Sequence, residues 1–267
     1  MHSWHEVKDR TEIGLNKINI WLDSFGLTLN VQKTNYIAFS LTEANRPNFK
    51  SIHIGNFNDS IIETGYTKYL GIIIDKHLKW DHHILYLTKN LRKLIHKFYV
   101  LREILSKRLL ISVYKVIAES VIRYGIVVWG GLYHSALKQL NVVQNYILKV
   151  INKKNKRFST RQLYTTEILN VRSLYIVEIC SFVFKNYNLK RYVNHMYEIR
   201  NKTNKHISIP KSNSNINLRF VNYLAPKIYN IIPVEIKDIK KIKPFRRACR
   251  LYVVENLKLF EPPFLYK

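Results

Sequence analysis

The sequence predicts an α+β protein, mostly α, with a few strands near the N-terminus and helices almost everywhere else. Three observations carry that expectation. Apolar residues recur at alternating spacings of three and four from Ile84 to Leu105, and similar spacings return between Leu110 and Tyr124 and between Leu137 and Val150; this is the mark of helices with one buried face. Strand-like pieces cluster only before residue 80. Hydrophobic residues make up 47% of the chain and aromatic ones 13%, which fills real cores and excludes a disordered tail.

Taken in order, residues 5–25 place Ile13, Ile18, Trp21, Leu22 and Phe25 on an imperfect helical stripe that stops at Gly26. Tyr36–Phe39, Ile52–Ile54 and the β-branched run Tyr69–Ile74 read as antiparallel strands, with a turn signal at Asn56–Ser60. From Asp81 the period changes to a helix of about six turns. Ser106 is placed to cap a second helix running to Tyr124, and Gly130-Gly131 ends it or a short extension. A third helix uses Leu137, Leu140, Val143, Ile147 and Val150, so 81–151 reads as a small antiparallel bundle. The basic segment Asn152–Arg157 is the expected boundary, giving domains at 1–80, 81–151 and 158–267. Beyond it, Thr160–Leu169, Leu174–Asn188, Phe220–Ile231 and Pro244–Leu259 read as helical, and 200–217 as a polar loop.

Formal net charge is +26 and the pI is near 10.0, with the excess steeper beyond residue 150. A folded chain this basic points to a polyanion, most simply nucleic acid. A basic protein kept soluble by self-repulsion is the other reading. Cys180 and Cys249 form no C-x2-C pair, so no zinc knuckle is legible; they suit a reducing compartment and packed thiols. The N-terminus lacks a signal-peptide core, and Ile72–Ile74 and Ile126–Trp129 are too short to cross a bilayer. The chain is therefore expected to be intracellular, in nucleus or cytoplasm, without membrane association and not secreted.

Catalytic carboxylates are hard to find. The six aspartates are Asp9, Asp23, Asp59, Asp75, Asp81 and Asp238, and no two are adjacent. Asp75 and Asp81 read as turn or capping residues. His77, His82 and His83 are tempting as metal ligands, but neighbours on a helix point in different directions, so surface histidines at a helix start are expected. No zinc or other metal site is assigned.

Two motifs at fixed spacing name a lineage. Trp21, Leu29-Asn30, Lys33-Thr34 and Phe39 form W-x7-LN-x2-KT-x4-F; residues 68–80 read KYLGI-x5-LKW. Together they resemble the end of the palm and the start of the thumb of reverse transcriptases from jockey-like non-LTR retrotransposons. Leu105, Leu110, Tyr114, Ser120, Tyr124-Gly125, Trp129-Gly130 and Gln144-Asn145 are similar to that family's thumb segment. Arg200-Asn201, Ala225-Pro226, Asn230–Pro233, Ile236-Lys237 and Phe245 follow its downstream region more loosely, with Ile232-Pro233 where Leu-Pro is usual.

The resemblance implies a small antiparallel palm remnant at 1–80, a thumb-like helical bundle and a basic C-terminal helical region. It implies an RNA-directed DNA polymerase (a nucleotidyltransferase) as the parent activity, with Mg2+ held by paired aspartates upstream of these motifs. Those aspartates are absent here, so this chain alone is expected to be inactive and to hold no cofactor. By resemblance Lys33 would approach the pyrophosphate side of the incoming triphosphate; otherwise it is a loop lysine. Tyr69 and Gly71 would belong to a primer grip, with Gly71 as a strand bulge and Leu70 as core the plainer reading. Arg92, Lys93, Lys97, Arg102, Lys107 and Arg108 would meet primer–template phosphates, giving affinity without sequence preference. A non-catalytic basic nucleic-acid-binding protein retained by a host is the alternative function.

Overall fold

The computed structural model describes residues 3–40, 42–54, 60–186, 206–212 and 217–260. It is α+β and mostly α, and it divides into two compact units, 1–83 and 84–267.

In the first unit, helix α1 (Trp4–Ser24) starts where the Ser3 hydroxyl accepts the Glu6 amide and ends at Gly26, whose φ of +67° a glycine adopts without strain. Strands β1 (Asn35–Tyr36), β2 (Ser51–His53) and β3 (Ser60–Glu63) form a sheet with β3 in the middle, parallel to β1 and antiparallel to β2. The parallel pair departs from the all-antiparallel expectation. Ile52, Ile54 and Ile61 are buried together, with Leu15, Leu29, Val31, Tyr36 and Phe49 against them. The opposite face leaves Ile62 exposed.

The run Tyr69–Ile74 is not one strand. Strands β4 (Tyr66–Tyr69) and β5 (Ile72–Asp75) pair antiparallel, Tyr69 opposite Ile72, around a two-residue turn. Leu70 and Gly71 both have positive φ, +46° and +82°, the combination whose twist matches a hairpin. Leu70 is therefore exposed at the tip rather than core, and Gly71 is a turn residue rather than a bulge.

Helix α2 (Asp81–Ile104) follows, and its residues from Ile84 onward belong to the second unit. There α3 (Lys107–Tyr114) begins at Ser106, whose hydroxyl accepts the Leu109 amide, and continues through one wide turn, Lys115–Glu119, into α4 (Ser120–Arg123). After Gly125 in a left-handed conformation come α5 (Ile126–Trp129) and α6 (His134–Ile151). Thr160–Leu169, expected as a helix, holds only the short turn Thr160–Leu163.

Helix α7 (Val171–Lys185) is apolar around most of its circumference, and α4, α5, α6, α8 (Val221–Ile231) and α10 (Ile242–Glu255) all touch it. Since α6 and α7 pack in the same unit, Asn152–Arg157 is a connection inside it. The short α9 (Val234–Lys237) starts at Pro233. Most of the expected loop at 200–217 lies outside the described residues; within it, Ile207 is held by paired bonds to the Asn230 side chain, 2.8 and 2.9 Å.

Candidate nucleic-acid interface

Helix α2 sorts its side chains by angle. Ile84, Leu87, Leu91 and Phe98 are buried, whereas Lys89, Arg92, Lys93, His96 and Lys97 are exposed. At one turn per 3.6 residues those five share an arc of about 140°. Among the described residues no carboxylate pairs with Lys89, Arg92, Lys93 or Lys97, so their charge faces solvent uncompensated.

Arg102 differs. Its Nε donates to Glu103 at 2.8 Å and its guanidinium lies 4.6 Å from the Tyr99 ring centre, while Lys153 also reaches Glu103 at 3.5 Å. Its charge is partly neutralised. Lys107 and Arg108 sit exposed in the first turn of α3, where the helix dipole opposes cations and attracts anions.

Beside the basic stripe, Arg92, Ile95, His96 and Tyr99 of α2 face Val142, Val143 and Tyr146 of α6 across a shallow groove of about 550 Å³. The Tyr99 and Tyr146 hydroxyls are 3.1 Å apart. Sequence reading missed Lys89, although it continues the 92/93 and 96/97 spacing. It also missed Tyr146, which comes from another helix and carries no local signal.

In the first unit, the Leu29-Asn30…Lys33-Thr34 motif is a capped turn. The Asn30 side chain accepts the Lys33 amide at 3.1 Å and the Thr34 hydroxyl donates to the Asn30 carbonyl at 2.8 Å, leaving the Lys33 side chain exposed. Tyr69 is 63% and Leu70 71% exposed at the β4–β5 tip. A leucine both exposed and held at positive φ is strained and poorly hydrated at once. Lys33, Tyr69 and Gly71 thus share one unit, and the six helix cations share the other.

Several other motif residues prove to be structural. Buried Gln144 donates to the Tyr114 hydroxyl and to the Leu169 carbonyl, both at 2.8 Å, and Tyr164 donates to Asn145. Burial pushes the Tyr114 and Tyr164 hydroxyl pKa values up. Gly130 lies under the Tyr175 ring, and Phe245 stacks on Phe184 at 4.4 Å. Arg200-Asn201 of the family pattern falls outside the described residues.

Asp75 is a loop-shaping residue. One carboxylate oxygen accepts the His77 and Lys79 amides, and the other accepts the Trp80 amide at 2.6 Å. Both oxygens are occupied by the backbone, which leaves Asp75 ill suited to a metal. His77 bonds to the Ser40 carbonyl and to Glu43 at 3.0 Å. With Lys76 and Arg46 also on it, the Glu43 carboxylate is held down to about 2. His82 stacks on Tyr66. His83 corrects the expectation of surface histidines: it is buried, accepts the Ile73 amide at Nδ1, and its pKa is lowered to about 4 by desolvation. Among the described residues no three His, Cys, Asp or Glu side chains converge as metal ligands, and no helix is long and apolar enough to cross a membrane. Cys180 and Cys249 are buried free thiols.

Fold and surface together define a mostly helical α+β protein with a stripe of exposed, uncompensated cations on α2. No family model matches the chain, and no solved structure matches it. In sequence it is similar to the probable RNA-directed DNA polymerase from transposon X-element of Drosophila melanogaster, with 25% identity over 150 residues. The match covers 55% of this chain and 16% of that protein. The chain is distantly related to a transposon reverse transcriptase and corresponds to a small part of its length.

Proposed function

We propose that this chain is the part of a jockey-like non-LTR retrotransposon reverse transcriptase downstream of its catalytic centre, and that it grips primer–template nucleic acid without performing chemistry. The observation that carries the grip is the uncompensated stripe Lys89–Lys97 on α2. Its supports are the polymerase relative and the motifs shared by Lys33, Tyr69 and Gly71. The exposed hairpin tip suits a primer grip, where glycine lets a sugar-phosphate backbone come close. Phosphates, not bases, are the ligands of the α2 stripe, so sequence preference is weak.

Affinity for a short RNA–DNA duplex should fall steeply as salt rises, because bound phosphates release counterions. Replacing Arg92, Lys93 and Lys97 with Ala should flatten the log–log slope by roughly one unit per lost contact. An unchanged slope would remove α2 from the interface.

The same reading makes these 267 residues inactive on their own. Two-metal nucleotidyl transfer needs carboxylates meeting at one point, and the aspartates here are scattered. Primer extension on an RNA template with magnesium or manganese should stay at background; template-dependent incorporation by the purified chain would refute it.

A further inference from the structure

A second site is built between α6 and α7. His134, Lys138, Asn141, Val142 and Asn145 recur along one stripe of α6, and this stripe faces a cleft of about 630 Å³ closed by Tyr164, Asn170, Arg172 and Leu257. A polar helical stripe ordinarily faces open water; this one has walls. The volume lies in the range that holds a small ligand.

The cleft is unusual in its hydrogen-bond inventory. Three described lining residues, His134, Lys138 and Arg172, can carry positive charge, and none is acidic. The asparagines are committed in a way that favours donation. Asn145 Oδ1 accepts the Tyr164 hydroxyl, and Asn170 Oδ1 accepts the Ser173 amide at 2.8 Å as the cap of α7. Each therefore spends its acceptor inside the protein and keeps its NH2 group available. Arg172 is almost fully buried, with its guanidinium held by the Gly130 and Leu132 carbonyls at 3.3 and 2.5 Å, so it adds a fixed positive charge to the wall while part of its donor set is already used. A cleft rich in fixed donors and poor in acceptors selects a ligand rich in anionic oxygens. Val142 and Leu257 supply an apolar strip beside them, suited to the flat face of a base.

We infer that this cleft binds a nucleoside phosphate, the phosphate on the Arg172–Lys138–His134 side and the base against Val142 and Leu257. This cleft shares Val142 with the groove beside the α2 stripe but draws its charges from other residues, His134, Lys138 and Arg172. The nucleoside phosphate is either a free nucleotide or one unit of an unpaired strand.

The full chain, labelled with 15N, is titrated with uridine 5′-monophosphate and separately with an eight-residue oligouridylate. Side-chain amide signals of Asn141, Asn145 and Asn170 should move with at least one probe. A response to the mononucleotide identifies a free-nucleotide site, and a response to the oligomer alone identifies a strand site; both support the inference. Lys138→Glu, at an exposed position that should not disturb folding, should weaken binding about tenfold or more. His134→Ala should weaken it less. The α2 triple substitution should leave mononucleotide affinity or, for a strand site, the oligomer-induced amide shifts intact, so loss of the α2 grip and loss of this site are distinguishable. Silence of all three amides with both probes, or full affinity in Lys138→Glu, would overturn it.

Discussion

The N-terminal unit rests on a cluster of three buried isoleucines, Ile52, Ile54 and Ile61, while the C-terminal unit buries Trp129, Tyr114, Tyr175, Tyr229, Phe98 and Phe245 almost completely. In the first, α1 buries none of its residues and leaves Ile13, Ile18, Ile20 and Trp21 exposed. In the second, α7 is surrounded. Burial of apolar area is the main favourable term in folding, and chain entropy opposes it residue by residue. The two units therefore differ in the burial that holds them, which is larger in the helical unit. The helical unit carries the exposed cations of α2 and the α6–α7 cleft, and the strand unit carries the hairpin tip.

The sharpest test is at Gly130. A Cβ there would come within 2.8 Å of Tyr175 Cγ and 2.6 Å of the Ile126 carbonyl oxygen, in a site with no room to yield. Gly130→Ala should cost about 3 kcal/mol by overpacking. Urea denaturation followed by helical circular dichroism should show it, and an unshifted midpoint would mean the contact relaxes cheaply.

Acid should separate the units. His83, in the first, has a folded pKa near 4 against an ordinary 6.5. Its contribution is complete above 6.5 and is lost as pH falls toward 4, because the unfolded chain takes up the proton first. That removes about 2 kcal/mol by pH 5. Glu43 acts the same way lower down, between 4.5 and about 2. Glu119, buried in the second unit, has its pKa raised chiefly by desolvation, so its penalty is relieved as pH falls toward 4.5. Limited proteolysis at pH 5 should then cut before Trp80 first and leave a helical fragment. Equal protection of residues 30–75 and 84–150 would erase the contrast.

The smallest effect is a gain. Gly14 lies inside α1 with nothing within 4 Å of an added Cβ. Gly14→Ala should stabilise the first unit by roughly 0.5–1 kcal/mol. Slower amide exchange along α1, with no change in α7, would register it.

What could be read in advance follows the physics of each signal. The period of α2, the Ser106 cap and the stop at Gly130 are local, and all appear where the sequence puts them. The basic stripe was legible for the same reason, since one helix carries it. Strand β3 was not expected, because its pairing with Asn35 and Ser51 is decided across the sheet. The β4–β5 turn was hidden by Leu70, an apolar residue in a conformation usually left to Gly or Asn. His83 was misplaced because its burial depends on tertiary packing, not on its neighbours in sequence. The α6–α7 cleft could not be seen at all: Lys138 and Arg172 are far apart in sequence and come to line one cleft only through packing.

The central place of α7 has a consequence for how the chain is made. Its partners α4, α5 and α6 precede it, and α8 and α10 follow it. During synthesis the earlier helices leave the ribosome with their inward faces bare, and they stay so until residue 185 is out. Completion waits for the end of α10, some seventy residues later. At about 5–20 residues per second that is an interval of several seconds in which greasy surface is open to chaperones or to misassembly. A ribosome stalled between α7 and α10 should display a collapsed but unfinished helical cluster, and release past Glu255 should close it.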